Sequence, residues 1–141
     1  MELVNRPRRL RGSDSIRRLC RETRLSPESL IYPIFVDENL KGRRHIGALP
    51  GQYHYGRDRV LEAVEEDLAA GVTRGILFGL PAYKDAQGSS AWIENGVVQQ
   101  AIRIIKEKYP DFYIVTDVCM CEYTDHGHCG ILCGHEVDND K

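Results

Sequence analysis

Three short apolar runs, separated by amphipathic stretches, constrain the fold more than any other feature of this sequence. Each run has the length and the uninterrupted apolar character of a strand that is buried on both faces. The runs are residues 30–36, 75–79 and 112–118. The order strand, helix, strand, helix, strand predicts right-handed βαβ units and a parallel sheet covered by helices.

The two intervening helices are predicted from the helical spacing of their apolar residues. The first spans about 58–70, and its apolar stripe consists of Val60, Leu61, Val64 and Leu68. Its solvated side is predicted to carry Glu62, Glu65, Glu66 and Asp67, and Gly71 is suited to cap its end. The second spans about 95–108 and is stopped by Pro110; its inward residues are Val98, Ala101, Ile102 and Ile105.

The fold class that follows is α/β, either an open doubly wound sheet or a (β/α)8 barrel. No Gly-x-Gly-x-x-Gly follows a strand, which disfavours a dinucleotide-binding fold. A complete barrel typically needs about 250 residues, so 141 residues with three strands supply only part of one. We expect an extended N-terminal arm over residues 1–29, with a short helix near 15–22, and an incomplete barrel over 30–141. Residues 37–56 are predicted to be mostly loop, and Pro33 argues against a central position for the first strand.

The charge distribution disfavours some functional classes. The formal net charge is −2, whereas residues 1–24 hold eight arginines against three acidic residues, a local balance of +5. Such an arm is more typical of a solvated or partner-binding segment than of a nucleic-acid tail. No run approaches the roughly 20 apolar residues of a membrane span and no leader peptide is recognisable, so a cytoplasmic location is expected. In that reducing compartment, clustered cysteines are more often metal ligands or catalytic groups than disulfides.

Three cysteines, Cys119, Cys121 and Cys129, lie within eleven residues of one another. Because side chains alternate along a strand, Asp117, Cys119 and Cys121 should point to one side of the third strand. A loop over 124–130 can then return Cys129 to the same place. Three thiolates around one point make a zinc site with one open ligand position, as catalytic zinc sites have. The position also fits, since parallel α/β folds carry their chemistry at the carboxyl ends of strands.

Other interpretations of this segment stay open. The cysteines could be small buried apolar residues, although the adjacent histidines and acids disfavour this. The site could be structural, with His126, His128 or Cys133 as the fourth ligand, although C-x-C followed by x₇-C is not the C-x₂₋₄-C pairing that zinc fingers normally show. Asp117 is either a carboxylate that orients a substrate amine or moves a proton, or an acid that accepts loop amides. Lys84, after the second strand, is expected to be a solvated surface lysine.

Residues 117–130, Asp-Val-Cys-Met-Cys-Glu-Tyr-Thr-Asp-His-Gly-His-Cys-Gly, resemble the metal-binding segment of the zinc-dependent porphobilinogen synthase (δ-aminolevulinic acid dehydratase) family. The resemblance covers nearly the whole chain in the same order. It includes Arg6-Pro-Arg-Arg-Leu-Arg11, Tyr32-Pro-Ile-Phe-Val36, Leu49-Pro-Gly51, Phe78-Gly79 and Val137-Asp-Asn-Asp140. Asp125 departs from the small hydroxyl residue that relatives often have.

The resemblance implies a (β/α)8 TIM barrel whose N-terminal arm embraces a neighbouring subunit, usually in a homo-octamer. It implies condensation of two 5-aminolevulinate molecules to porphobilinogen with loss of water, early in tetrapyrrole and haem biosynthesis. By motif, Cys119, Cys121 and Cys129 would hold Zn²⁺ as a Lewis acid. Asp117 would lie beside the substrate, and His128 would lie near this metal or a second divalent metal.

The family's reaction also needs lysines that form Schiff bases, and these belong to later barrel strands. A nucleophilic lysine must be desolvated, and the lysines here lie in loops, at an exposed helix end or at the terminus: Lys41, Lys84, Lys106, Lys108 and Lys141. The chain is therefore expected to be an N-terminal portion that is inactive alone. The alternative function is a non-catalytic zinc-binding half-barrel module. A nucleic-acid-binding zinc protein has less support, because no second cysteine pair is present.

Overall fold

Five strands form one sheet in this computed structural model, which describes residue 4 and residues 8–140. The strands are β1 (Tyr32–Asp37), β2 (Arg43–His45), β3 (Tyr53–Tyr55), β4 (Arg74–Leu80) and β5 (Tyr113–Thr116). Their order in the sheet is β2-β3-β1-β4-β5. Of the features predicted from sequence, Arg6 and Pro7 in the arm and the terminal Lys141 lie outside the described residues.

The three strands predicted from apolar runs are β1, β4 and β5, and they pair in parallel as expected. β1 pairs with β4 from Tyr32 opposite Gly75 to Asp37 opposite Leu80. β4 pairs with β5 over four residues, ending at Leu77 opposite Thr116. Because parallel strands end on the same side, the carboxyl ends of β1, β4 and β5 form one edge of the sheet.

Residues 37–56 are mostly loop, as expected, but β2 and β3 form a short antiparallel pair within them that was not predicted. Strands of three residues are too short to show a period of two, so no sequence pattern indicates them. The objection raised by Pro33 fails. β3 pairs only with Phe35 and Val36 of β1, so β4 is the sole strand paired with β1 at Pro33. The missing N–H of Pro33 therefore breaks no hydrogen bond to β3.

Three helices are described: α1 (Asp14–Leu19), α2 (Val60–Ala69) and α3 (Val97–Lys108). The last two match the predicted amphipathic helices, and Gly71 follows α2 with a φ of 81°, as a left-handed cap requires. They cover the sheet and bury a core that includes Ile34, Val64, Leu77 and Ile105. None of the helices that the structure describes is long and apolar enough to cross a membrane.

One residue of α2 departs from its predicted place. Asp67 was assigned to the solvated side with the glutamates, but its side chain is buried, with a relative exposure of 4%. Its Oδ2 has no hydrogen-bond partner in the described structure. Burial, and then the nearby charge of Glu66, raises the pKa of Asp67 to about 7.

The segment before β1 contributes nothing to this core. From Arg8 to Leu30 no described residue is buried, and Leu10, Leu19 and Leu25 are among its exposed apolar side chains. α1 is the only α-helix in this part and lies close to the predicted short helix. At the other end of the chain, β6 (Leu132–Cys133) and β7 (Glu136–Val137) form a separate two-stranded hairpin after the cysteine segment.

Candidate metal centre

The cysteine segment begins where β5 leaves the sheet. β5 ends at Thr116, and only the N–H of Asp117 still donates to the Leu77 carbonyl, at 3.4 Å. The predicted strand over 112–118 was therefore too long, and strand alternation does not orient the cysteines. Instead the chain turns, because the N–H groups of Tyr123 and Thr124 both donate to the Met120 carbonyl at 2.9 Å.

Three thiols nevertheless meet at this edge of the sheet. The Cys129 sulfur lies 2.9 Å from that of Cys121 and 3.3 Å from that of Cys119. All three sulfurs lie within 4.8 Å of one another, and no other group of three potential ligands occurs among the described residues. Zn–S bonds of about 2.3 Å in a tetrahedral site place sulfurs about 3.8 Å apart. The two contacts of the Cys129 sulfur are shorter than this, but the three converging thiols are a donor set that could hold a metal ion.

Hydrogen bonds within the cluster shift two of its thiols in opposite directions. Those with Cys121 and Cys119 lower the pKa of the Cys129 thiol to about 7. Those with Cys129 and Cys119 raise the pKa of Cys121 to about 12. The Cys129 side chain is also exposed and so accessible to an incoming cation.

The neighbouring histidines are not equivalent. The Nδ1 atom of His126 accepts from the backbone N–H of His128 at 3.2 Å, so its Nε2 carries the proton and donates to the Ala86 carbonyl at 3.2 Å. Both ring nitrogens of His126 are thereby used, which argues against it as a fourth ligand. The ring of His128 stacks on that of His126, with centroids 5.8 Å apart. Neither histidine nor Cys133 belongs to the thiol cluster in the described structure.

Asp117 lies beside the cysteines and faces other ionisable groups. It lines a cavity of about 260 Å³, together with Cys119 and Tyr123. Burial, and then the charge of Asp117, raises the pKa of Glu122, while the positive charge of Lys84 acts in the opposite direction. Lys84 is exposed, as predicted. A cation, two carboxylates and three thiols thus share one edge of the sheet.

The loop after β4 supports the cysteine segment, and its part was missed from sequence. Asp85 accepts the N–H groups of Gln87 and Ser89 at 3.0 and 2.9 Å, and also the Ser89 hydroxyl. The hydrogen bonds from Ser89 lower the pKa of Asp85. Its backbone carbonyl accepts the N–H of Asp125 at 3.1 Å, and it bridges to Thr124. An Asp four residues before a Ser is a local turn signal, but nothing in the sequence says which segment that turn supports.

The fold and the cluster define a class: a parallel α/β protein with a three-thiol cluster suited to a metal at the carboxyl edge of its sheet. A sequence model of the family described as delta-aminolevulinic acid dehydratase matches residues 4–141. The chain therefore belongs to this family, and the resemblance inferred from residues 117–130 is confirmed.

Similar proteins include relatives from bacteria and archaea. The delta-aminolevulinic acid dehydratase of Ruminiclostridium josui is 54% identical over 139 residues, which cover 99% of this chain and 68% of that relative. The enzyme of the same name from Archaeoglobus fulgidus is 52% identical over 136 residues, covering 96% of this chain and 42% of the relative.

A solved structure agrees with the sequence relatives. The crystal structure of delta-aminolevulinic acid dehydratase (porphobilinogen synthase) from Toxoplasma gondii, in complex with the reaction product porphobilinogen, matches with a TM-score of 0.88 at 30% identity. The match covers 98% of this chain and 40% of that chain. The chain thus spans about two fifths of the length of this structure and of the archaeal relative.

Proposed function

We propose that this chain forms part of a porphobilinogen synthase, which condenses two 5-aminolevulinate molecules to porphobilinogen with loss of water in tetrapyrrole and haem biosynthesis. The observation that carries the proposal is the convergence of Cys119, Cys121 and Cys129 at the carboxyl edge of the sheet. Family membership supplies the reaction, because the solved relative is bound to porphobilinogen as its reaction product.

The three thiolates would hold Zn²⁺, which supplies a Lewis acid for a substrate oxygen. Three protein ligands leave one coordination position for that oxygen, whereas a structural site would normally have four. Asp117 would hold a substrate amine or move a proton at it, a role supported by its position in the lining of the cavity beside Cys119. Lys84 and Glu122 would set the electrostatic potential around these groups.

The Schiff-base chemistry would come from elsewhere in the family's sequence. The described lysines, Lys41, Lys84, Lys106 and Lys108, are all exposed. An exposed ammonium keeps its proton at neutral pH and is a poor nucleophile. We therefore propose that residues 1–141 carry the metal half of the active site and form no porphobilinogen alone.

Several finer features belong to the same proposal. Residues 30–141 would be the first part of a (β/α)8 barrel, and residues 1–29 an arm that contacts a neighbouring subunit of a homo-octamer. The exposed Leu10, Leu19 and Leu25 support such a contact, because apolar side chains gain from being covered. His128 would lie near a second divalent metal, and the enzyme would work in the cytoplasm.

Zinc titration of the purified chain tests the site. Cys119→Ser, Cys121→Ser and Cys129→Ser should each weaken zinc binding on the order of 100-fold or more, since loss of even an outer partner of a metal ligand costs 10–100-fold. Cys20→Ser and Cys133→Ser are matched controls, because both thiols are exposed and outside the cluster. Unchanged binding in all three cluster variants would refute the site.

An assay with 5-aminolevulinate tests whether residues 1–141 lack the Schiff-base half of the active site. The zinc-loaded chain should release no porphobilinogen, and measurable product from residues 1–141 would overturn the claim that the other half is needed. The alternative function is a non-catalytic zinc-binding module. The DNA sequence beyond codon 141 distinguishes this alternative from the enzyme. A reading frame that continues into strands bearing a lysine after an apolar run supports the enzyme, and a stop codon in an intact gene supports the module.

A further inference from the structure

The third thiol of the cluster is brought into place by the path of a loop. Cys119 and Cys121 follow β5 closely, but Cys129 is eight residues beyond Cys121 and belongs to no helix or strand. It nevertheless lies in contact with both other sulfurs. Some interaction within residues 122–128 must therefore return the chain to its starting point.

Thr124 has the contacts that such a role requires. Its backbone N–H donates to the Met120 carbonyl at 2.9 Å, which fixes the start of the loop. Its hydroxyl Oγ1 donates to the His128 carbonyl at 3.0 Å, which fixes the peptide bond that leads into Cys129. Thr124 thus joins the two ends of the loop. Cys121 lies within the turn that the first bond closes, and Cys129 directly follows the carbonyl that accepts the second bond.

The side chain of Thr124 is also held in position. It is 3% exposed, and apart from Tyr123 it is the only buried side chain between residues 117 and 130. Its methyl carbon, Cγ2, packs against Gly88. A Cβ atom added to Gly88 would lie only 3.4 Å from this carbon. The backbone of Thr124 also pairs with that of Asp85, whose side chain accepts the Ser89 N–H. The next residue, Asp125, donates its backbone N–H to the Asp85 carbonyl. The hydroxyl is therefore aimed at the His128 carbonyl by packing on its other side.

We propose that Thr124 is a positioning residue for the metal site, which acts by placing the Cys129 thiol rather than by touching the metal. This inference rests on the proposed zinc site. The Asp125 and His126 bonds to the loop after β4 hold the middle of the segment, whereas the Thr124 hydroxyl bonds to the peptide group directly before Cys129. Removal of the hydroxyl weakens this last placement, because a net hydrogen bond is worth about 1 kcal/mol and water competes for the freed carbonyl. The Cys119 and Cys121 thiols do not depend on this bond.

Zinc affinity gives a readout of this role, and cobalt(II) in place of zinc reports the number of bound thiolates through its sulfur charge-transfer absorption. In Thr124→Val, which keeps the shape and loses the hydroxyl, we expect zinc affinity to fall about fivefold. The cobalt spectrum at saturation should keep its three-thiolate intensity, because a bond of this size cannot release a thiolate whose loss costs about 100-fold. The unfolding midpoint of the metal-free chain should change little. Thr124→Ser, which keeps the hydroxyl, should restore the wild-type affinity.

Two controls separate this role from a general loss of structure. Thr73→Val removes an exposed hydroxyl before β4, far along the chain from the cluster, and should leave zinc affinity unchanged. If Thr124→Val does not fold, Thr124→Ser and Thr124→Ala replace it, because both lack the methyl group and only the first has the hydroxyl. The serine variant should then bind zinc about fivefold more tightly than the alanine variant.

The outcomes distinguish this inference from the function on which it rests. A wild-type chain without a three-thiolate cobalt spectrum contradicts the zinc site itself. A wild-type three-thiolate spectrum that Thr124→Val reproduces at equal affinity overturns only the role of Thr124, as would equal binding by the serine and alanine variants. A roughly fivefold loss of zinc affinity in Thr124→Val, with rescue by serine, supports it.

Discussion

The sheet with its two helices and the cysteine segment are held together in different ways. The first region is built on apolar side chains that are almost completely buried, such as Ile34, Val64, Leu77 and Ile105. In the second, residues 117–130, only Tyr123 and Thr124 are buried, and the chain is held by backbone turns and single polar bonds.

This difference separates folding from metal binding. Burial of apolar area supplies most of the stability of a small domain, whereas isolated hydrogen bonds contribute about 1 kcal/mol each. Changes in the core should therefore alter the unfolding free energy, and changes in the cysteine segment should alter metal affinity. If the two regions are independent, a substitution in the core should leave metal affinity unchanged.

The largest expected effect is in the core. Ile105→Ala, in the middle of the packing between α3 and the sheet, should destabilise the chain by about 3 kcal/mol, because it removes a fully buried side chain and leaves a cavity. Denaturant unfolding measures this change. The matched control is Leu19→Ala on the exposed face of α1, which should cost less than about 0.5 kcal/mol. Zinc affinity of the folded Ile105→Ala chain should stay near the wild-type value, and a large loss would show that the regions are coupled.

A smaller effect of opposite sign is expected at Asp67. Its pKa is raised from 3.8 to about 7, mainly by burial. A carboxyl with a raised folded-state pKa favours folding fully below the unfolded-state pKa, and that contribution is lost as pH rises through the folded-state pKa. Asp67→Asn should therefore be more stable than wild type at pH 8, by roughly 2 kcal/mol, with the advantage disappearing towards pH 4.

Unfolding free energies of both chains between pH 4 and pH 8 provide the measurement. Asp111→Asn, which changes an exposed carboxyl, is the control and should show no such dependence. A difference between wild type and Asp67→Asn that is constant with pH would contradict the buried, ionisable state assigned to Asp67.

Sequence reasoning succeeded where several residues agree on one element. Uninterrupted apolar runs became β1, β4 and β5, and apolar stripes at helical spacing became α2 and α3. Asp67 was predicted to be solvated because it is charged, although its spacing in the helix indicates burial. It lies seven residues after Val60 and therefore on the same, buried face of α2. The three-residue strands β2 and β3 carry no period at all.

The cysteine cluster was predicted from sequence, but the reason given for its geometry was wrong. The expectation relied on alternation along a strand, whereas the strand ends at Thr116 and the thiols meet through a turn at Met120. The bonds that decide this path join Thr124 to His128 and Asp125 to Asp85. Such contacts depend on the three-dimensional placement of a neighbouring loop, which the order of residues within 117–130 does not contain.

We propose that the three cysteines form a zinc site on a sheet that folds without metal, and zinc-dependent unfolding tests this proposal most directly. Without metal, wild type and Cys129→Ser should unfold with the same free energy. With free zinc at 1,000 times its dissociation constant for wild type, wild type should gain about 4 kcal/mol and Cys129→Ser much less. Equal gains in both chains, or a metal-free Cys129→Ser chain that is already unfolded, would contradict the account.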